Sequence, residues 1–126
     1  MPAMRTPGLE ALVVEADPLI AAFIEDVLLG RHIATDCIVL PGRFDYLLRR
    51  HYDVAVLGVD TECRYLPMVV EVLRRRRIPA LLFSVNGNLA AVAAEFPYIP
   101  TCCYDPGAPE ILADYVLRVA ARDVVA

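Results

Sequence analysis

The chain has 126 residues, enough for one domain with a core and too few for a second module or an output domain. With 58% hydrophobic and 22% charged residues it is more apolar than an average soluble domain, which points to a sheet buried on both faces or to a surface shared with a partner. A net charge of -4 speaks against nucleic acid, and neither a span of about 18 apolar residues nor a secretory h-region in MPAMRTPGLE suggests membrane or export, so a cytoplasmic protein is expected.

Leu9 to Glu15 is an apolar run ending in acid, consistent with a buried parallel strand. In the following ADPLIAAFIEDVLLG, Asp17 is a good N-cap, Pro18 takes the first helical position and Gly30 closes the helix. Ile20, Phe23, Ile24, Val27 and Leu28 follow the helical repeat and form one stripe. His32 to Leu40 reads as a second strand, after which Pro41-Gly42 turns the chain into a short helix from about Phe44 to Arg50. Val54 to Leu57, inside YDVAVLGVD, is the third strand and ends in Gly58.

Tyr65 to Arg76 is a helix with Leu66, Val69, Val70 and Leu73 inward. Its closing run, Arg74-Arg75-Arg76-Arg77, complements the helix dipole rather than marking a phosphate patch. Pro79 opens a fourth strand, Ala80 to Ser84, and Leu89 to Glu95 is a weak, Ala-rich helix that binding would readily remodel. Thr101 to Tyr104 is a short last strand. Pro109 to Arg122 is a last helix with Ile111, Leu112, Tyr115, Val116 and Val119 as its apolar face.

Strands alternating with helices in this order predict an α/β, flavodoxin-like doubly wound (βα)5 fold with a parallel sheet of order 2-1-3-4-5. Ligands of such sheets sit beyond the carboxyl ends of the strands, a crevice lined here by Glu15, Ala16, Asp17, Gly58 to Asp60, Ser84 and Tyr104. No glycine-rich phosphate loop follows a strand, which weakens a nucleotide-binding function. Cys37, Cys63, Cys102 and Cys103 show no CxxC or zinc spacing and are expected to be small buried apolar residues. His32 and His51 have no carboxylate or serine arrangement beside them that would suggest catalysis.

ALVVEADPLIAAFIEDVLLG resembles the opening of bacterial response-regulator receiver domains, YDVAVLGVD their third strand, IPALLFSVNG their fourth, and IPTCCYDPGAPEILADYVLRV their fifth strand and last helix. The resemblance runs in order over essentially the whole chain. It implies a two-component phosphorelay fold in which a histidine kinase phosphorylates an aspartate after strand three, with magnesium held by acids after strand one. A hydroxyl after strand four and a lysine after strand five then grip the phosphoryl group.

Carried onto this sequence, that pattern fails at most of its chemical positions. Gly58 stands at the phosphoacceptor place, Ala16 at the second acid, Tyr104 at the lysine, Asp105 at the proline after it, and Thr101 at the aromatic switch; Glu15 and Ser84 match. No catalytic residue is therefore expected, and magnesium is not expected to bind well, its weak candidates being Glu15 and Asp60. Asp60 lies roughly 7 Å further along, too far to replace the missing acceptor, and is expected to be a solvated loop acid. Asp17 is expected to cap its helix, Glu15 to hydrogen-bond in the crevice, and Tyr104 to fill the lysine space over Gly58 and Ala16.

The resemblance thus implies a pseudo-receiver, no enzyme, signalling by protein–protein interaction with a histidine kinase, an output protein or a second copy of itself. The last helix, presenting Ile111, Leu112, Tyr115, Val116 and Val119, is the expected face for a partner or a homodimer. The alternatives are a phosphorelay receiver with Asp60 as a displaced acceptor, and a small-ligand module using the altered crevice.

Overall fold

Five short runs pair in parallel into one sheet in the computed structural model of the chain, which describes residues 8–39, 50–60, 64–87 and 89–125. They are β1 (Glu10–Val14), β2 (Ala34–Ile38), β3 (Val54–Gly58), β4 (Ala80–Ser84) and β5 (Thr101–Cys103), in the order β2-β1-β3-β4-β5. The register places Val13 beside Val56, Leu57 beside Leu82, and Ser84 beside Cys103, so the carboxyl ends of the central strands come level. The expected fold class and strand order are both observed. Phe44 to Arg49 of the expected short helix lie outside the described residues, as do Leu40 and Cys63.

Because successive strand residues point to opposite faces, each buried strand supplies two cores. Ala11, Val13, Val54, Val56, Leu81 and Phe83 meet α1 (Pro18–Leu29) and α4 (Ile111–Val125) on one side. Leu12, Val14, Ala55, Leu57 and Leu82 meet α2 (Leu66–Arg75) on the other, with Val92 and Phe96 of and beside α3 (Ala90–Glu95) packed partly against them. None of α3's own residues is buried, in keeping with its alanine-rich sequence. Among the described residues, no helix is long and apolar enough to cross a membrane.

Helix ends explain most of the differences in element boundaries. Asp17 caps α1 as expected, its side chain accepting from Leu19 N at 2.8 Å and Ile20 N at 3.4 Å. At the other end, Ile33 N donates to Leu28 O and His32 N to Leu29 O, a Schellman closure that keeps His32 and Ile33 out of β2. The arginine run closes α2 in the same way: Ile78 N donates to Leu73 O and Arg77 N to Arg74 O. Both closures place a side-chain-bearing residue in the left-handed region, His32 at φ 61° and Arg77 at φ 59°.

The apolar face of α4 requires a correction. Leu112, Val116 and Val119 are 2%, 0% and 4% exposed, because they pack into the chain's own core against the sheet. They cannot line a partner interface, which leaves the half-buried Ile111 and Tyr115 of the expected face.

Arg77→Gly should raise stability by about 0.5–1 kcal/mol, the relief of left-handed strain less the extra chain entropy of glycine. The check is an upward shift of the urea midpoint at unchanged slope.

Candidate functional site

The crevice at the carboxyl ends of the strands is built around Glu15. As the first residue after β1 it continues the strand's pairing, its N–H donating to Ile38 O at 3.2 Å, and its side chain is 2% exposed. Oε2 accepts from Asp17 N at 3.0 Å, while Oε1 is buried and has no hydrogen-bond partner. The carboxylate lies over Gly58. A Cβ added to Gly58 would overlap Glu15 Oε1 and stand 2.6 Å from its Cδ. The volume that any side chain at the end of β3 would need is therefore filled by the carboxylate of β1's acid.

Burial raises the Glu15 pKa above the usual carboxylate value, and the nearby Asp60 and Asp17 add to the effect, while the Asp17 N–H opposes it. An acid whose native pKa is raised holds its proton longer in the folded than in the unfolded chain. Its unfavourable contribution is absent below the unfolded value of 4.5, grows as pH rises from there to the raised native value, and is constant above it.

Asp60 is not the solvated loop acid expected. Its Oδ1 accepts from Ser84 Oγ at 2.6 Å and Asn86 N at 3.2 Å, and its Oδ2 accepts from Val85 N at 2.6 Å. Ser84 is fully buried, and its Oγ also accepts from Gly87 N at 2.9 Å. The two side chains tie the loop after β3 to the turn after β4. In sequence, Ser84 is only a common turn residue and Asp60 only an acid beyond a strand; no local pattern marks them as partners.

Tyr104 also differs from expectation. Its N–H donates to Ser84 O at 2.8 Å, continuing the β4–β5 pairing, and its ring meets Phe23 of α1 edge-on at 5.1 Å. Phe23 in turn stacks on Phe83 of β4 at 6.2 Å. The space above Gly58 thus belongs to Glu15 and not to Tyr104. Leu19, Ile20, Phe23, Val85 and Tyr104 line an apolar hollow of about 230 Å³ beside the crevice. Ala16 is exposed and brings no donor.

A magnesium ion of the kind the resemblance implies does not fit this donor set. Asp17 is engaged with the first turn of α1, both Asp60 oxygens already accept from the β4 turn, and position 16 has no carboxylate. Among the described residues, no group of three or more His, Cys, Asp or Glu is placed to hold a metal.

The cysteines divide. Burial pushes the Cys37 thiol up to about 12, with Glu25 adding to it, and the Cys102 thiol up to about 11, so neither supplies thiolate at neutral pH. Cys102 is buried as expected, whereas Cys37 is half-buried and Cys103 is exposed, because consecutive residues of β5 face opposite ways.

With this geometry in hand, similar solved structures are informative. They include a sensor protein from Polaromonas sp. JS666, 19% identical over 93% of this chain and 99% of that one, with a TM-score of 0.76. A response regulator receiver protein from Burkholderia phymatum is 17% identical over 90% of this chain and 95% of that one, with a TM-score of 0.74. A transiently phosphorylated "switch" in bacterial signal transduction is 15% identical over 91% of this chain and 96% of that one, with a TM-score of 0.66. The chain has the fold of response-regulator receiver domains. No protein-family model matches the sequence, and no curated protein matches it.

Two outcomes test the carboxylate's placement. Glu15→Gln should gain stability relative to wild type as pH is raised from about 4 to 7, read as diverging urea midpoints. Gly58→Ala should destabilise the fold by about 1–3 kcal/mol through overpacking, and Glu15→Ala in the same chain should recover most of that loss, giving a non-additive double-mutant cycle.

Proposed function

We propose that this chain is a receiver-type signalling module that acts by protein contact and takes no phosphoryl group at the end of β3. One observation carries the proposal: the Glu15 carboxylate occupies the space above Gly58 where an acceptor side chain would stand. Phosphoryl transfer needs a nucleophile, in-line space for phosphorus and positive charge to neutralise the transferred group. Here the space holds a carboxylate, which repels an incoming phosphate.

The displaced acceptor, Asp60, is disfavoured by its own bonds. Three donors from Ser84, Val85 and Asn86 hold its oxygens towards the β4 turn. Attack on phosphorus from there would break the tie between two loops. The module is accordingly no enzyme in this proposal and needs no magnesium. A transiently phosphorylated switch is among its structural neighbours, but that chemistry is said of that protein.

The partner is proposed to be a histidine kinase, an output protein or a second copy of the chain. Support for a contact surface comes from side chains left over by core packing. Beside the edge strand β5, whose Cys103 is exposed, Tyr115 of α4 lies under the Arg118 guanidinium at 5.1 Å. Tyrosine and arginine are the residue types that most often anchor interfaces.

Incubation with acetyl phosphate and magnesium, followed by intact-mass measurement, tests the central claim. The expected result is no phosphoryl adduct on wild type. An adduct that disappears in Asp60→Asn would establish the displaced acceptor and overturn the proposal.

A further inference from the structure

A further hollow lies away from the crevice. At the opposite, amino-terminal end of the sheet a cavity of about 340 Å³ opens between the last turns of α2 and the segment after α3. Its floor is Leu73, Ile78 and Ala80, the last turn of α2 and the start of β4; Phe96 and Ile99 form the opposite wall. This is the size and apolar character of a small-molecule pocket rather than of a packing defect.

The rim carries charge of both signs. Arg74 and Glu95 both line the opening. Arg74 shares Glu71 with Arg75, donating to it from Nη2 at 2.7 Å, while Arg75 Nε donates to the same carboxylate at 3.0 Å. Arg74 is the cation among the lining residues, and Arg75 to Arg77 follow it in the chain without lining the cavity. The Arg74–Glu71 pair is open to solvent, with side chains 71% and 43% exposed, so an incoming acid exchanges for Glu71 at little cost.

The far wall is partly open to solvent. Helix α3 contributes no buried residue, and Tyr98 at the lip is 95% exposed. A ligand's apolar body would add to the packing of Phe96 and Ile99, which are only partly buried against the core.

We propose that this cavity is a binding site for a small carboxylate amphiphile, an apolar body buried against Leu73, Ile78, Phe96 and Ile99 with its acid group at Arg74. The site lies at the other end of the sheet from Glu15 and Gly58 and does not depend on whether the crevice accepts phosphate.

Titration of the full chain with octanoate at low ionic strength, followed through the methyl signals of Val70, Leu73, Ile78 and Ile99, tests it. Saturable one-to-one binding is expected, with affinity rising roughly fourfold per methylene from pentanoate to octanoate. Octan-1-ol should bind several-fold more weakly, and Arg74→Gln, at an exposed position, should bring octanoate down to the level of the alcohol. Absence of saturation at millimolar octanoate overturns the proposal, as do shifts centred on Leu19, Ile20 and Val85. Equal affinity for acid and alcohol overturns the role of Arg74. Binding of an acidic peptide while the free acids stay inert makes the cavity a protein-docking site and overturns it as well.

Discussion

A carboxylate and a missing side chain share one volume at the carboxyl end of the sheet, and the crevice is organised around that overlap. Glu15 can turn over β3 only because residue 58 carries no Cβ. Once there it is nearly sealed from water and leaves Oε1 without a donor, an arrangement that typically disfavours the folded state by a few kcal/mol per group. Native chains rarely keep such an atom without a function or a compensating gain. The gain visible here is steric: a glycine at the end of a buried strand would otherwise leave a void, and the carboxylate fills it.

The rest of the crevice is closed by bonds among its own side chains. Asp60 and Ser84, which open chemistry would leave facing a ligand, instead join the loop after β3 to the turn after β4. Tyr104 is drawn to the aromatic row of Phe23 and Phe83 because an edge-on ring contact on an apolar wall is better solvated by protein than a phenol stretched across a polar floor. Each group that resembles part of a phosphoryl site is thereby committed to holding the structure.

The two ends of the sheet are consequently unlike. At the carboxyl end the space above Gly58 is filled by a polar group, with an apolar hollow beside the crevice. Beside α2 the amino end opens into an apolar cavity, walled by the segment after α3, with Arg74 of the arginine run among its lining residues. That run closes a helix, as its position predicts, and its first residue also lines a cavity that no periodicity announces.

The Asp17-Pro18 helix start and the spacing of short apolar runs were enough to determine the fold class and the strand order, because those features are local or follow from chain order. That β3 ends in glycine was equally plain in the sequence. Which side chain fills the space above Gly58 was decided only by tertiary structure, since Glu15 and Gly58 are brought together by β1–β3 pairing across a sequence separation that no local pattern reports. The same reason hid the Asp60–Ser84 tie and the turn of Tyr104 towards Phe23. It also hid the burial of Val116: an apolar helical stripe looks the same whether it meets the chain's own sheet or a partner, and only packing distinguishes the two.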